Sequence, residues 1–141
     1  MTGSIQIDAE RAFSRARRGR RLAALARLLR RDGGDRLVVY DERSLRHLRP
    51  ERGIREIPVE NITATLEPTR SRLFDCRFRP AAIARARWQR VWLAEHRGTV
   101  LPPISVVRVG DCYAIRDGHH RVSVARARGA LTIDAEIDAV V

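Results

Sequence analysis

The sequence predicts an α/β protein, with strands and helices alternating over residues 54–141 behind an arginine-rich helical extension over residues 1–53. Three observations predict it. Ile104-Ser105-Val106-Val107-Arg108-Val109 and Cys112-Tyr113-Ala114-Ile115-Arg116 are strand-forming runs separated only by Gly110-Asp111, the spacing of a hairpin. The second run passes through Asp117-Gly118 into a helix-forming stretch that reaches about Arg128, where Gly129 supplies a cap, and Thr132 to Val140 reads as a closing strand. From Ala9 to Arg31 every residue except Gly19 is a tolerable helix former.

In the first helix Leu22, Leu25, Ala26 and Leu29 recur at helical spacing, whereas Phe13 and Ala16 project from a different side. That helix is therefore expected to bend near Gly19 or to pack on two partners. Asp32-Gly33-Gly34-Asp35 is its stop, Leu37-Val38-Val39-Tyr40 a short strand, Ser44 to Leu48 a turn of helix and Pro50 to Gly53 a linker. Ile54 to Val59 and Asn61 to Leu66 are extended, the second rich in β-branched residues, and Glu67 to Arg72 is a polar loop. Pro80 stands where a helix starts; Ala84, Trp88, Val91 and Trp92 form its apolar stripe, Gly98 its cap, and Pro102-Pro103 turns the chain into the hairpin. In the helix after Gly118, Val122 and Ala125 lie on one side and Val124 and Ala127 on another, so it is buried on two faces.

Composition bounds the function classes. A chain of 141 residues with 44% hydrophobic content supplies one modest core. No run of about 18 apolar residues is present, and Met1-Thr2-Gly3-Ser4-Ile5-Gln6 lacks a basic segment followed by an apolar one, so a soluble, cytoplasmic protein without membrane contact is expected. Two cysteines, Cys76 and Cys112, make no disulfide framework and no C-x-x-C pair. The net charge is +11, from 28 basic residues, all arginine, against 17 acidic ones. A coding bias towards arginine accounts for the missing lysine but not for the excess; attraction to a polyanion accounts for the excess.

The chemistry concentrates at Asp117-Gly118-His119-His120-Arg121. The first amides of a helix lack partners within it and carry partial positive charge, and glycine lets an anion approach the backbone closely. Phosphate is then expected on the amides of His119 and His120, with Gly118 making room and the Arg121 fork clamping two oxygens. The plainer alternative is that Asp117 caps the helix, Gly118 makes the turn and the histidines are a solvated pair.

Leu101-Pro102-Pro103-Ile104, the run from Tyr113 to Arg126 and the following Gly129 together resemble the ParB/sulfiredoxin superfamily. Ile57-Pro58-Val59 matches its opening strand, and Phe74-Asp75, Phe78-Arg79-Pro80 and Arg87-Trp88 its middle. The resemblance covers roughly residues 54–141 and implies a small mixed sheet flanked by helices, with Gly118 to Arg121 as the phosphate motif. Sulfiredoxins place a catalytic cysteine after the glycine, where this chain has His119, so sulfinic-acid reduction is not expected. Partition ParB proteins, which bind cytidine triphosphate, carry glutamate and arginine where His119 and His120 stand. Free serine kinases of the superfamily share the Asp-Gly-His sequence, which implies catalytic roles for Asp117 and for Glu67 or Glu60. The implied cofactor is a nucleoside triphosphate or diphosphate with magnesium.

Three functions follow from these readings. The first is a nucleotide- or phosphate-binding module in a regulatory or DNA-associated setting. The second is a small-molecule kinase, phosphatase or nucleotide hydrolase using Asp117 and Glu67. The third is a non-catalytic polyanion-binding protein. Polyanion contact is assigned to Arg17, Arg18, Arg20 and Arg21 on the first helix, where the polyanion is DNA, and to Arg70 and Arg72 in the polar loop. Adjacent His119 and His120 project about 100° apart and cannot pair on one metal, so no metal site is assigned. Cys112, alternating with Ala114, reads as a small core residue, and Trp88 and Trp92 as core rather than a stacking platform. The oligomeric state, a homodimer included, is left open.

Overall fold

The computed structural model describes residues 2–30, 36–46 and 48–141. Helix α1 (Thr2–Arg30) is followed by strands β1 (Val38–Val39), β2 (Arg49–Pro50), β3 (Ile54–Pro58) and β4 (Ile62–Thr65), helix α2 (Arg85–His96), the hairpin β5 (Ile104–Val109) and β6 (Cys112–Asp117), helix α3 (His119–Ala127) and strand β7 (Thr132–Val140). The sheet is mixed and runs β1-β4-β6-β5-β7-β2, with β3 also paired to β7. β4 lies parallel to β6 and β5 parallel to β7, while β5 and β6 are antiparallel and close on Val109 and Cys112. This is the α/β architecture that the alternation of elements predicts.

The core joins both ends of the chain. Phe13 of α1 meets Trp88 of α2 edge to face at 5.5 Å, and both are fully buried with Ile57, Ile62, Ile104, Ile115 and Ile137 of the sheet. Trp88 donates its indole N–H to Ser123 of α3 at 2.8 Å, so this buried proton has an acceptor. Of the two faces of α3 expected to be covered, Val122 and Ala125 are buried and so is Val124, whereas Ala127, in the last turn, is exposed. Residues 2–53 contribute more than a helix, since β1 pairs with β4, β2 pairs with β7, and Ala9, Phe13 and Leu37 belong to the core.

Several sequence expectations change. α1 begins at Thr2 rather than Ala9 and runs unbroken through Gly19. It packs through Ala9 and Phe13, with Ile5, Ala12 and Ala16 beside them, whereas the leucine stripe stays in solvent, Leu22 at 60% and Leu29 at 88% exposure. The sheet and α2 are covered by the first half of the helix, so helical spacing of leucines did not identify the packed side. Cys112, expected in the core, is exposed because it is the first residue after the hairpin turn, at the rim of the sheet. The helical turn expected at Ser44 to Leu48 forms earlier, at Glu42–Ser44, where the Asp41 carboxylate accepts the Arg43 N–H at 3.0 Å. Pro50, expected in a linker, pairs with Ala139. α2 starts later than Pro80, after a 3-10 turn at Ala82–Ala84. The glycine-rich stop at Asp32-Gly33-Gly34-Asp35 lies outside the described residues. Among those described, no helix is long and apolar enough to cross a membrane.

Candidate functional site

β6 delivers the chain to Gly118, whose φ of 111° is open to glycine but strained for other residues. A Cβ there would stand 2.9 Å from Cβ of Ile104, inside van der Waals contact, so β5 presses directly on the turn. α3 then starts without a side-chain cap. Asp117 is not the cap that the plainer reading made it. Its carboxylate is 79% exposed and instead meets the Arg121 guanidinium at 3.1 Å. The first amides of α3 are therefore left without a capping carboxylate or hydroxyl, in the orientation that attracts an anion.

The turn opens into a cleft of about 650 Å³. Gly118, His119, His120 and Arg121 line it from one side, Glu67, Thr69 and Arg70 from the polar loop, Arg87 from α2, and Arg116 and Asp117 from the end of β6. The structure thus brings together the turn and both carboxylates singled out as catalytic. Glu60, the alternative to Glu67, lines a different cleft, and Arg72 lines neither. Arg70 joins the cleft, while Arg17, Arg18, Arg20 and Arg21 lie on α1 around Gly19, away from it.

The histidines are not a solvated pair: His119 is 4% and His120 7% exposed. Both rings pack on Phe74, His119 stacked at 6.4 Å and His120 edge-on at 5.1 Å. Nε2 of His119 lies 2.6 Å from the Thr65 hydroxyl, which accepts the Glu67 N–H at 2.9 Å and also lies 3.3 Å from the Ile115 carbonyl. The single hydroxyl proton serves the imidazole or the carbonyl, and the tautomer of His119 decides which. Burial lowers the pKa of His119 to about 4, with Arg70 and His120 adding to the effect against Asp117. Burial, then Arg87 and Arg70, lowers His120 to about 4 as well. Both imidazoles are neutral at pH 7, which removes the protonated donors that a solvated pair would offer.

Arg121 is anchored rather than free. It donates to the Pro102 and Pro103 carbonyls, the latter at 3.1 Å, and to Asp117. Arg116 is held by Glu42 and, at 2.7 Å, by Asp138. Sequence reading missed Thr65, Arg87 and Arg116. Arg116 was within reach of it, being the strand residue next to the turn; Arg87 figures only in the resemblance, because a helix residue 31 positions before Gly118 shows no local link to the turn. Among the described residues, no three of His, Cys, Asp and Glu converge as metal ligands.

No family model and no curated protein matches this chain. Among solved structures, sulfiredoxin from Arabidopsis thaliana is similar to it, at 25% identity over 60% of this chain and 83% of that one, with a TM-score of 0.44.

Proposed function

We propose that this protein is a binding module for a nucleotide or another phosphorylated small molecule, held in the cleft at the start of α3. The observation that carries the reading is the uncapped first turn of α3 opening among four guanidinium groups, those of Arg70, Arg87, Arg116 and Arg121. Helix amides and arginine forks are complementary to phosphate oxygens in both charge and geometry. Arg121, fixed by two prolyl carbonyls, orients the turn and shares its remaining donors between Asp117 and the ligand. Phosphate binding also draws protons: an anion beside His119 and His120 raises both pKa values from about 4, so the complex tightens as pH falls. A regulatory or DNA-associated setting suits such a module.

The test is a thermal-shift panel of nucleoside mono-, di- and triphosphates with and without magnesium, since a ligand selective for the folded state raises its melting temperature. Stabilisation that disappears in Arg87→Ala supports the reading. No stabilisation by any member, or an equal one in Arg87→Ala and wild type, rejects it.

A second reading, phosphoryl transfer, draws on Glu67 and Asp117 lining the same cleft. Carboxylates beside phosphate bind magnesium through oxygen and position a hydroxyl acceptor. These two are the acidic oxygen donors of the cleft. Magnesium there would neutralise phosphate charge, and Asp117, four-fifths exposed and paired with Arg121 through one oxygen, is the carboxylate placed to accept a proton from the acceptor. Turnover that Asp117→Asn abolishes while binding survives supports transfer; turnover unchanged in that variant excludes Asp117 as the base.

A further inference from the structure

The other end of α3 opens into a second, larger cleft of about 1200 Å³, between the inner side of α1 and the loop at Arg77–Pro80. It does not include the phosphate turn. Five arginines line it from three elements: Arg15 of α1, Arg77 and Arg79 of the loop, and Arg126 and Arg128 at the end of α3. Glu60 is the one carboxylate among the lining residues. Arg126 is structural, donating to the Arg77 and Val59 carbonyls at 3.2 and 3.3 Å. Arg15, Arg77 and Arg128 are exposed, Arg128 with its guanidinium over the Trp92 ring at 5.7 Å and its Nε 3.6 Å from the Glu95 carboxylate.

The field here differs from that at the start of the helix. The carbonyl end of α3 carries partial negative charge, which opposes a single compact anion. Separate guanidinium groups spread along a long cleft favour an anion whose charges are themselves spaced. The space also exceeds the roughly 300–1,000 Å³ of ordinary small-molecule pockets. Arg11 and Arg18, about one turn before and after Arg15 on α1, continue the positive track beyond the cleft. A flat surface accompanies the charge: the His96 ring lies on Trp92, centroids 4.8 Å apart and planes 9° from parallel, and both rings line the cleft. Arginines that follow a backbone together with a ring open to stacking are the recognition chemistry of unpaired nucleic acid. An acidic peptide would use the arginines and leave the ring idle, and a duplex would offer it no unstacked base.

We propose that the cleft at the C-terminal end of α3 binds single-stranded nucleic acid, with Arg15, Arg77 and Arg128 on successive phosphates and His96 stacked against a base. Fluorescence anisotropy of a labelled oligothymidylate of about ten nucleotides tests it on the full chain. Wild type binds with an affinity that falls linearly in a log–log plot against salt. The double variant Arg15→Ala/Arg77→Ala, with circular dichroism unchanged, binds at least about 10-fold more weakly at low salt and lowers the slope by about 1.4, the share of two phosphates. His96→Ala weakens binding at least about 5-fold and leaves the slope as it was, because stacking releases no counterions. The proposal is overturned if the double variant binds like wild type. It is equally overturned if removing two arginines elsewhere, Arg43→Ala/Arg46→Ala, costs as much, or if polyglutamate or a duplex of the same length competes as strongly as the single strand.

Discussion

The two ends of α3 gather arginine in equal earnest and to different effect. At the first residue the helix presents unbonded amides to a small cleft with buried neutral histidines and two carboxylates. At the last its carbonyls are already satisfied by the Arg128, Gly129 and Ala130 N–H groups, beside a cleft nearly twice the volume with exposed arginines and one glutamate. Net charge alone does not separate these sites, since both are basic. What separates them is the direction of the helix dipole and the depth at which the charged groups sit, so the first suits a compact phosphate and the second an extended chain of them.

The glycines at the two ends sharpen the contrast most. Gly118→Ala forces a Cβ into Ile104 at a φ of 111° and is expected to cost about 3 kcal/mol, combining overpacking with left-handed strain. At Gly129, where φ is 76°, an added Cβ would have no atom within 4 Å, so Gly129→Ala costs only about 1 kcal/mol of backbone strain. Urea denaturation of both variants checks the order, and equal losses would mean that β5 does not press on the turn.

Next in size is Arg87→Ala, expected to weaken phosphate-ligand binding by about 2 kcal/mol through one lost charge-assisted bond while oligonucleotide affinity stays unchanged. Isothermal titration with each ligand reads the separation, and a parallel loss of both would join the two clefts into one site. In the middle of α3, Ser123→Ala leaves the Trp88 indole N–H buried without its acceptor and costs about 1.5 kcal/mol of stability, read by the same urea denaturation.

The start of α3 differs from its end in pH dependence as well. His119 and His120 hold folded pKa values of about 4 against an unfolded value of about 6.5. Their neutral burial is without penalty above pH 6.5; below it the unfolded chain takes up protons that the folded one refuses. Stability is therefore lost as pH falls from 6.5 towards 4, by at most about 1.4 kcal/mol per pH unit for each ring. Sulfate, which stays dianionic across that window, protects increasingly as pH falls if it sits on the turn. Chemical denaturation from pH 7 to 5 with and without sulfate measures both, and flat protection would remove the histidines from the anion's neighbourhood.

Local patterns carried the strands and the turn, because a hairpin and a strand-glycine-helix junction are determined within a few residues. β5 and β7 have the bounds that the sequence predicts, and Gly118 to Arg121 stand together because they are consecutive. Features set by distant partners were illegible. The leucines at Leu22, Leu25 and Leu29 outweigh Ala9 and Phe13 in hydrophobicity, yet the smaller group packs because α2 offers Trp88 to Phe13. Likewise Thr65 is bound to His119 across the sheet, and no spacing in the sequence announces a contact of that kind.

The pairing of β3 with β7 also governs the order of assembly. Ile57 finds its place opposite Ile133, and in between the chain must form α2, the hairpin and α3. As synthesis proceeds from the N-terminus, β3 emerges with its buried side uncovered and waits for β7 to arrive. Such long-range closure slows folding and leaves an unpaired edge available to other chains in the interval, making this strand a point where a nascent polypeptide is exposed to misassociation.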